Sequence, residues 1–256
     1  YGIAIDIGTT TVAISFIDVN TGKITYNKTF LNPQQQYGAD VISRIDYINS
    51  NKNDVLTELI TNNIDKAIKE CCTENKINSE EIGNVVIVGN TTMLYILQKL
   101  NPHELAVSPF IATHKDMKAY NYSDLFSNYL NCKIILLPCV SAYIGADITS
   151  GMYFLGREVL SNKILFIDLG TNGEIVLSDG KNIYCASAAA GPAFEGASIK
   201  DGVGSIDGAI CNIEIENGEI KYNTINNKET VGICGSGIID ITAEGITNLL
   251  IDKLEN

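Results

Sequence analysis

Two copies of one short sequence motif constrain the fold of this chain more than any other feature of its sequence. The first copy, IAIDIGTTTVAI, spans residues 3–14, and the second, LFIDLGTNGEIVL, spans residues 165–177. Each is an apolar run that leads through Asp, an apolar residue, Gly and Thr to a second apolar run. The two aspartates, Asp6 and Asp168, lie 162 residues apart, which is about the length of one domain. The repeat predicts two related halves, each of which offers one turn to a shared cleft.

The turn in each copy has the residue types that hold a phosphate group. Gly8 and Gly170 let the backbone turn tightly and approach a bulky ligand. Hydroxyl and amide side chains follow beside backbone N–H groups, and such turns cradle phosphate oxygens without Lys or Arg; these residues are Thr9, Thr10, Thr11, Thr171 and Asn172. A single copy would be better explained as a β-hairpin whose Asp and Thr bond the turn backbone. The duplication favours a phosphate site.

Asp6 and Asp168 are candidate metal ligands. Each ends an apolar run that is typical of a buried strand. Mg²⁺ keeps several waters and takes only one or two carboxylates, so an Asp at a strand end can hold it through those waters.

Composition and charge limit the classes of ligand. The chain has a formal net charge of −12, and Arg44 and Arg157 are its only arginines. Nucleic-acid binding needs clustered positive charge, which argues against that class of partner. No stretch approaches the ~20 apolar residues of a membrane span. Seven cysteines without a CxxC pair predict reduced thiols in a cytoplasmic protein, and we expect no metal cluster in this chain.

The order of the predicted elements indicates an α/β fold with mixed sheets and helices on both faces. Strands are predicted first at residues 3–7, 12–18 and 23–31, and helices and strands then alternate. Two further predictions concern helices, an amphipathic one near residues 122–130 and one of small residues at 141–153.

The predicted domains are residues 1–156 and 157–256. Each contains one of the two phosphate turns. The chain starts with Tyr1 rather than Met, and nothing closes the second domain after the last predicted helix. We therefore expect a piece of a longer protein, truncated at the C-terminal end of the second domain.

A third glycine-rich site lies at the start of the last predicted helix. Its sequence, GICGSG, permits close backbone approach and an anion or nucleotide at the helix N-terminus; the residues concerned are Gly232, Gly235, Ser236 and Gly237. The alternative is a glycine-rich cap that only begins the helix.

Two single residues have a functional and a structural interpretation. Asn90, between a predicted strand and a helix, either presents its amide to a ligand or caps the helix. Glu195 is the only carboxylate in the glycine-rich segment 191–196. It is either an acid near a metal or the reacting group, or a partner for backbone amides.

Together these features resemble the actin-like ATPase superfamily, which has a two-domain, ribonuclease H-like fold with a nucleotide cleft. The resemblance implies that the two turns, with Gly173 included in the second, sandwich the phosphates of ATP with Mg²⁺. It also implies that residues 138–147 form the helix connecting the domains and that residues 232–237 receive adenosine.

The loop sequences are similar to those of a narrower family, the reductive activators of corrinoid proteins. The matching phrases include NPQQQYGADVISRI, VIVGNTTM, LPCVSAYIGADI, AAAGPAFEGA and GICGSGIID. The resemblance implies ATP-driven reduction of a Co(II) corrinoid to Co(I) in anaerobic metabolism. It implies an electron carrier, a two-iron two-sulfur cluster in an N-terminal ferredoxin-like domain that these residues do not include. The implied partner is a corrinoid iron–sulfur protein or a corrinoid methyltransferase component, and a homodimer is a further expectation.

One departure leaves the catalytic base open. Chaperone ATPases of the superfamily carry a Glu just before the connecting helix, where this chain has Leu137 and Pro138. The candidate bases are then Asp6, Asp168 and Glu195. Two alternatives remain at this level, a small-molecule kinase with a positioned acid or base and a nucleotide-gated binding module without turnover.

Overall fold

Six strands form the larger sheet of the computed structural model, which describes residues 1–170, 172–188, 199–216 and 218–251. They are β1 (Gly2–Ile7), β2 (Thr11–Asp18), β3 (Lys23–Leu31), β4 (Asn84–Gly89), β5 (Lys118–Asn121) and β6 (Lys133–Leu136). Their order is β3–β2–β1–β4–β6–β5. β1 runs antiparallel to β2 and parallel to β4, with Ile7 opposite Gly89. The loops after β1 and β4 therefore leave the sheet side by side.

Helices cover this sheet and bury its apolar side chains. They are α1 (Val41–Asn51), α2 (Val55–Asn75), α3 (Thr91–Leu97), α4 (His103–Ala106), α5 (Tyr122–Leu125) and α6 (Ala146–Leu160), with short 3-10 helices at Pro33–Tyr37 and Ser79–Glu81. In α2, Ile60, Ile64 and Ile68 recur at the four-residue spacing of one helix face, and all three are fully buried. In the part of the chain that the structure describes, no helix has the length and apolar character needed to cross a bilayer.

Two predicted helices differ from the observed ones. The helix predicted at residues 122–130 ends after one turn, as α5. The small-residue helix begins only at Ala146, so the prediction of a helix over residues 138–147 is wrong for most of that segment. The reason is a tight turn in which the N–H groups of Val140 and Ser141 both donate to the carbonyl of Ile144, at 2.8 and 3.2 Å.

A second, three-stranded sheet follows α6. It consists of β7 (Lys163–Leu169), β8 (Gly173–Asp179) and β9 (Ile183–Ala188), in that order and antiparallel throughout. α6 packs on this sheet through Ile148, which shares a buried cluster with Val176; Phe166 packs against this cluster. A Cβ on Gly151 would lie 2.9 Å from the Phe166 ring, so the small residue is what permits this close approach.

The chain divides into two compact units, Tyr1–Ala189 and Ala190–Asn256. The first contains both sheets described above and both predicted phosphate turns. The second contains β10 (Ala209–Glu216), β11 (Glu219–Thr224), β12 (Gly232–Ile233) and α7 (Gly235–Thr247), with a 3-10 helix at Ile225–Asn227. The division into domains at residues 1–156 and 157–256 stays a prediction.

Candidate functional site

The first unit brings the two repeated turns to one cavity of about 360 Å³. Asp6 in β1 and Asp168 in β7 both face this cavity. Its wall is formed by Asp6, Gly8, Thr9, Thr10, Thr11, Asn90, Asp147, Asp168, Gly170, Asn172 and Glu174. The candidate site is therefore built from two sheets and from the loops at the ends of β1, β4 and β7.

The first turn contains the four residues between Ile7 and Val12, the last pair of the β1–β2 ladder. The N–H of Gly8 donates to the carbonyl of Thr11 at 3.0 Å and closes the loop. A Cβ on Gly8 would lie 2.6 Å from the same carbonyl oxygen, so a larger residue cannot make this turn without moving the strand. Glycine is required here by close approach of the backbone.

The second turn is one residue shorter than the first. Leu169 pairs with Gly173 across the β7–β8 hairpin, whereas Ile7 pairs with Val12 in the first copy. The N–H of Gly170 donates to the carbonyl of Asn172 at 2.9 Å. The two copies therefore share a sequence motif and a place on the cavity wall, but they form different turns.

Asn90 caps α3, as one of its two interpretations predicted, and it also bonds the first turn; a contact with a ligand stays a prediction. Its side-chain oxygen accepts the N–H of Met93 at 3.0 Å, which caps α3. Its amide nitrogen donates to the hydroxyl of Thr9 at 3.0 Å. Because Asn90 also lines the cavity, this one residue fixes both the start of a helix and a side chain of the first turn.

Four carboxylates give the cavity a strongly negative character. The surrounding walls exclude water from Asp6, and this effect, followed by the charges of Asp147 and Asp168, raises the pKa of Asp6 to about 6. Burial also raises the pKa of Asp147, with a smaller contribution from the charge of Asp168. Burial likewise raises the pKa of Glu174, and the charges of Asp147 and Asp168 add to it. Crowded carboxylates of this kind favour a bound cation or proton.

The donor set suits a cation that is shared between protein and ligand. Among the residues that the structure describes, no group of three or more His, Cys, Asp and Glu side chains could hold a metal ion by itself. Mg²⁺ normally takes one or two carboxylates, and phosphate oxygens and waters complete its octahedron. Asp6 and Asp168 on one cavity beside two phosphate-type turns fit that pattern.

Comparison with known proteins decides the family. A family model described as the RACo middle region matches residues 1–158, and one described as the C-terminal domain of RACo, the ASKHA domain, matches residues 162–256. The chain belongs to the RACo family. ASKHA denotes the actin-like class, so the predicted actin-like fold of mixed α/β sheets is confirmed.

Relatives of this RACo chain carry names that refer to corrinoid proteins. "Corrinoid activation enzyme RamQ" of Eubacterium limosum is 36% identical over 260 residues and is matched by 100% of this chain. The "[Co(II) methylated amine-specific corrinoid protein] reductase" of Methanosarcina barkeri is 29% identical over 287 residues, with 99% of this chain covered. The chain spans 43% and 52% of the lengths of these two relatives. The predicted resemblance to reductive activators of corrinoid proteins is confirmed.

A solved structure supports the same assignment. "Reductive activator for corrinoid,iron-sulfur protein" superposes with a TM-score of 0.75 at 35% sequence identity. It is matched over 99% of this chain and 42% of its own length.

The sequence did not single out Asp147 and Glu174 as site residues of the RACo chain. Glu174 lies opposite Asp168 in the β7–β8 register, so a carboxylate that follows the second turn was an available signal. Asp147 reaches the cavity because α6 begins beside the loop that follows β4. A Cβ on Gly145 would lie 2.5 Å from the Cα of Asn90, and this approach of two distant segments leaves no local trace in the sequence.

The remaining predicted residues fall into three groups. Gly173 begins β8 and is buried behind the wall. Thr171 and Glu195 lie outside the described residues. The glycine-rich segment 232–237 belongs to the second unit, where a Cβ on Gly232 would lie 2.6 Å from the carbonyl of Asp201 and one on Gly237 2.4 Å from that of Ile210. Packing within the second unit thus explains two of these glycines, and an adenosine-binding role stays a prediction.

Proposed function

We propose that this RACo chain is the nucleotide-binding part of an ATP-dependent activator that reduces a corrinoid protein from Co(II) to Co(I). The observation that carries the proposal is the cavity lined by residues of both repeated turns, the one after Asp6 and the one after Asp168. Two such turns, with carboxylates behind them and no Lys or Arg among the wall residues that the structure describes, suit a polyphosphate that arrives with a divalent cation.

Each side of the cavity has a distinct task in this proposal. The backbone N–H groups and hydroxyls of Thr9, Thr10 and Thr11 hold phosphate oxygens, and Asn90 keeps Thr9 in place. Asp6 and Asp168 hold Mg²⁺ through its waters. When bound, Mg²⁺ would neutralise phosphate charge.

A base for ATP hydrolysis is proposed to be one of four carboxylates, of which Asp6, Asp168 and Glu174 line the cavity. Leu137 and Pro138 stand where chaperone ATPases have a Glu, so the catalytic group comes from Asp6, Asp168 or Glu195. Glu174 joins these candidates because it lines the same wall and because burial raises its pKa.

Reductive activation follows from the names of the relatives and from a physical argument. The E. limosum relative is named as a corrinoid activation enzyme and the M. barkeri relative as a reductase of a Co(II) corrinoid protein. Reduction to Co(I) is uphill, so the protein must use differential nucleotide binding to favour one conformation that acts on the corrinoid protein. In this proposal the electron comes from a two-iron two-sulfur cluster outside these residues.

The partner is proposed to be a corrinoid iron–sulfur protein or a corrinoid methyltransferase component. A cytoplasmic location under anaerobic conditions and a homodimer belong to the same proposal.

The test follows the cobalt spectrum. The natural polypeptide that carries these residues, reduced and kept free of oxygen, is mixed with a Co(II) corrinoid protein with and without Mg·ATP. We expect Co(I) only with Mg·ATP, and we expect Asp168→Ala to abolish it. Asp46→Asn, on the exposed surface of α1, is the control and should leave the signal unchanged.

Other outcomes identify the alternatives. Transfer of the γ-phosphate to a small metabolite would replace the proposal with a kinase. Tight Mg·ATP binding with negligible hydrolysis, with or without a corrinoid protein, would indicate a binding module. Unchanged activation in Asp168→Ala would remove the second turn from the mechanism.

A further inference from the structure

Arg44 is a fully buried arginine directly behind the first phosphate turn. Its relative exposure is 0%. One terminal nitrogen, Nη2, donates to the carbonyl of Thr9 at 2.5 Å, and Nε donates to the carbonyl of Gly38 at 3.0 Å. The other terminal nitrogen, Nη1, donates to Oε1 of Gln34 at 3.1 Å. The guanidinium therefore joins the loop to the segment that precedes α1.

This buried charge has no carboxylate bonded to it among the residues that the structure describes. Asp40 acts on it only at longer range, and burial lowers the pKa of Arg44 to about 10, which leaves it charged at neutral pH. Burying an unpaired charge is costly. The acceptors that balance this cost include a carbonyl of the turn itself, which links the charge to the site.

Arg44 is one of several donors that hold successive carbonyls of the turn. The carbonyl of Gly8 accepts the side-chain amide of Asn32 at 2.8 Å. The carbonyl of Thr10 accepts the Asn32 N–H at 2.8 Å and the side-chain amide of Gln35 at 3.2 Å. With Thr9 bonded to Arg44, three consecutive carbonyls are drawn toward one side of the loop.

A planar trans peptide points its N–H opposite to its carbonyl. Drawing these carbonyls toward Arg44, Asn32 and Gln35 therefore turns the N–H groups of the same peptides away from them. Consecutive N–H groups that face one way form an anion-binding concavity. These contacts therefore favour a loop whose N–H groups at residues 9–11 face away from Arg44, Asn32 and Gln35.

We propose that Arg44 is a positioning residue for nucleotide binding, which holds the first turn in its phosphate-binding form and places a positive charge behind it. The inference rests on the proposed function, because the ligand is the phosphate of Mg·ATP. The positive charge of Arg44 partly offsets the negative charge of the four cavity carboxylates, which otherwise repel a polyphosphate. Arg44 touches the loop and is not expected to touch the nucleotide.

The first test compares phosphate binding with nucleoside binding. Arg44→Lys keeps the charge but cannot bond all the acceptors of the guanidinium, which also include the Sδ of Met93 at 3.2 Å. Arg44→Met removes the charge as well. We expect Arg44→Lys to raise the Kd of Mg·ATP about 10-fold and Arg44→Met more, within the 10–100-fold range of supporting residues, with no change in the Kd of adenosine. Arg157→Lys, at an exposed arginine on α6, is the control. Equal losses for Mg·ATP and adenosine would overturn the proposal, since they indicate a general structural defect.

The second test does not depend on folding of an Arg44 variant. Gln35→Met removes a partly exposed donor to Thr10, and Gln36→Met removes the neighbouring amide, which donates to the carbonyl of Pro33 instead. We expect weaker Mg·ATP binding and faster amide exchange at residues 9–11 in Gln35→Met and no effect in Gln36→Met. Identical behaviour of the two variants would overturn the role of the carbonyl contacts.

Failure of the proposed function gives a different result. If the unmodified protein bound no Mg·ATP, the proposed function would be wrong. Amide exchange at residues 9–11 in nucleotide-free Arg44→Lys would still test whether Arg44 holds the first turn in place. Exchange as slow as in the unmodified protein would show that Arg44 does not hold the loop.

Discussion

Asp147 illustrates how a single residue at this site affects both stability and ligand binding. Its carboxylate lines the cavity, and its Oδ1 accepts the N–H of Ile148 at 2.8 Å. Burial and the charge of Asp168 raise its pKa. An acid whose folded pKa is raised contributes stability below its unfolded pKa, and that stability is lost as the pH rises through the folded value. Above that folded value the charged form of Asp147 therefore destabilises the ligand-free protein.

We predict that Asp147→Asn stabilises the ligand-free protein at pH 8. The amide keeps an oxygen for Ile148 and removes a charge, so the free energy of unfolding should rise by about 1 kcal/mol. The corresponding rise in Tm is about 2–4 °C. At about pH 3 the gain should largely disappear, because this lies below the unfolded pKa of Asp and Asp147 is then mostly protonated in both states. Thermal unfolding at both pH values is the measurement, with Glu158→Gln on the exposed side of α6 as control.

Asn90 allows its two contacts to be separated by substitution. We predict that Asn90→Ala lowers the free energy of unfolding by about 1 kcal/mol, since α3 loses its cap. Asn90→Asp keeps an oxygen for Met93 and should retain most of that stability. Both variants lose the donor to Thr9 and should weaken Mg·ATP binding about fivefold. Equal affinity of Asn90→Asp and the unmodified chain would mean that only the cap matters.

At the scale of elements, the start of α6 decides where Asp147 lies. The turn at residues 140–144 delays the helix to Ala146, and Gly145 packs against the loop that follows β4. A Cβ there would lie 2.5 Å from the Cα of Asn90 and 2.6 Å from the carbonyl of Gly89. Two backbone segments can therefore meet only if this residue has no side chain.

We predict that Gly145→Ala destabilises the protein by about 1–3 kcal/mol, the usual cost of overpacking. It should also weaken Mg·ATP binding, because α6 must move away from Asn90. Gly83→Ala is a matched control, since its Cβ would have only one neighbour, at an ordinary 3.8 Å. Urea unfolding and nucleotide titration of both variants would check this. A neutral Gly145→Ala would show that the approach of these segments is adjustable.

At the scale of the whole molecule, negative charge dominates. The chain carries a formal net charge of −12, and four of its carboxylates lie on the wall of the candidate site. A polyphosphate cannot approach such a wall favourably unless a cation accompanies it. In our proposal, the buried guanidinium of Arg44 and a shared Mg²⁺ supply the positive charge that the phosphates need.

We therefore predict that Mg·ATP stabilises the chain and that ATP with a chelator does not. At a ligand concentration 100 times the Kd, the gain in the free energy of unfolding is about 2.7 kcal/mol. Thermal unfolding with Mg·ATP, with ATP and EDTA, and with Mg²⁺ alone is the measurement. Equal stabilisation by ATP in EDTA would contradict the requirement for a shared cation. Asp168→Asn should lose the effect, and Asp46→Asn should keep it.

The sequence by itself determined the features that depend on local pattern. The strands predicted at residues 12–18 and 23–31 are those observed as β2 and β3, because alternating apolar residues between turn signals define a strand locally. The two repeated motifs, which begin at Asp6 and Asp168, indicated the two turns, and the loop sequences indicated the family. Both depend on residues close together in the chain.

Only the tertiary structure decided which other residues complete the site. Asp147 faces the cavity because a turn delays α6, and Glu174 does so because of the strand register. Arg44, noted in the sequence only as one of two arginines, lies behind the first turn through contacts with Thr9, Gly38 and Gln34. Each depends on packing between segments that are distant in sequence or on the length of a turn. Such contacts leave no periodic signal, and they become visible only once the chain has folded.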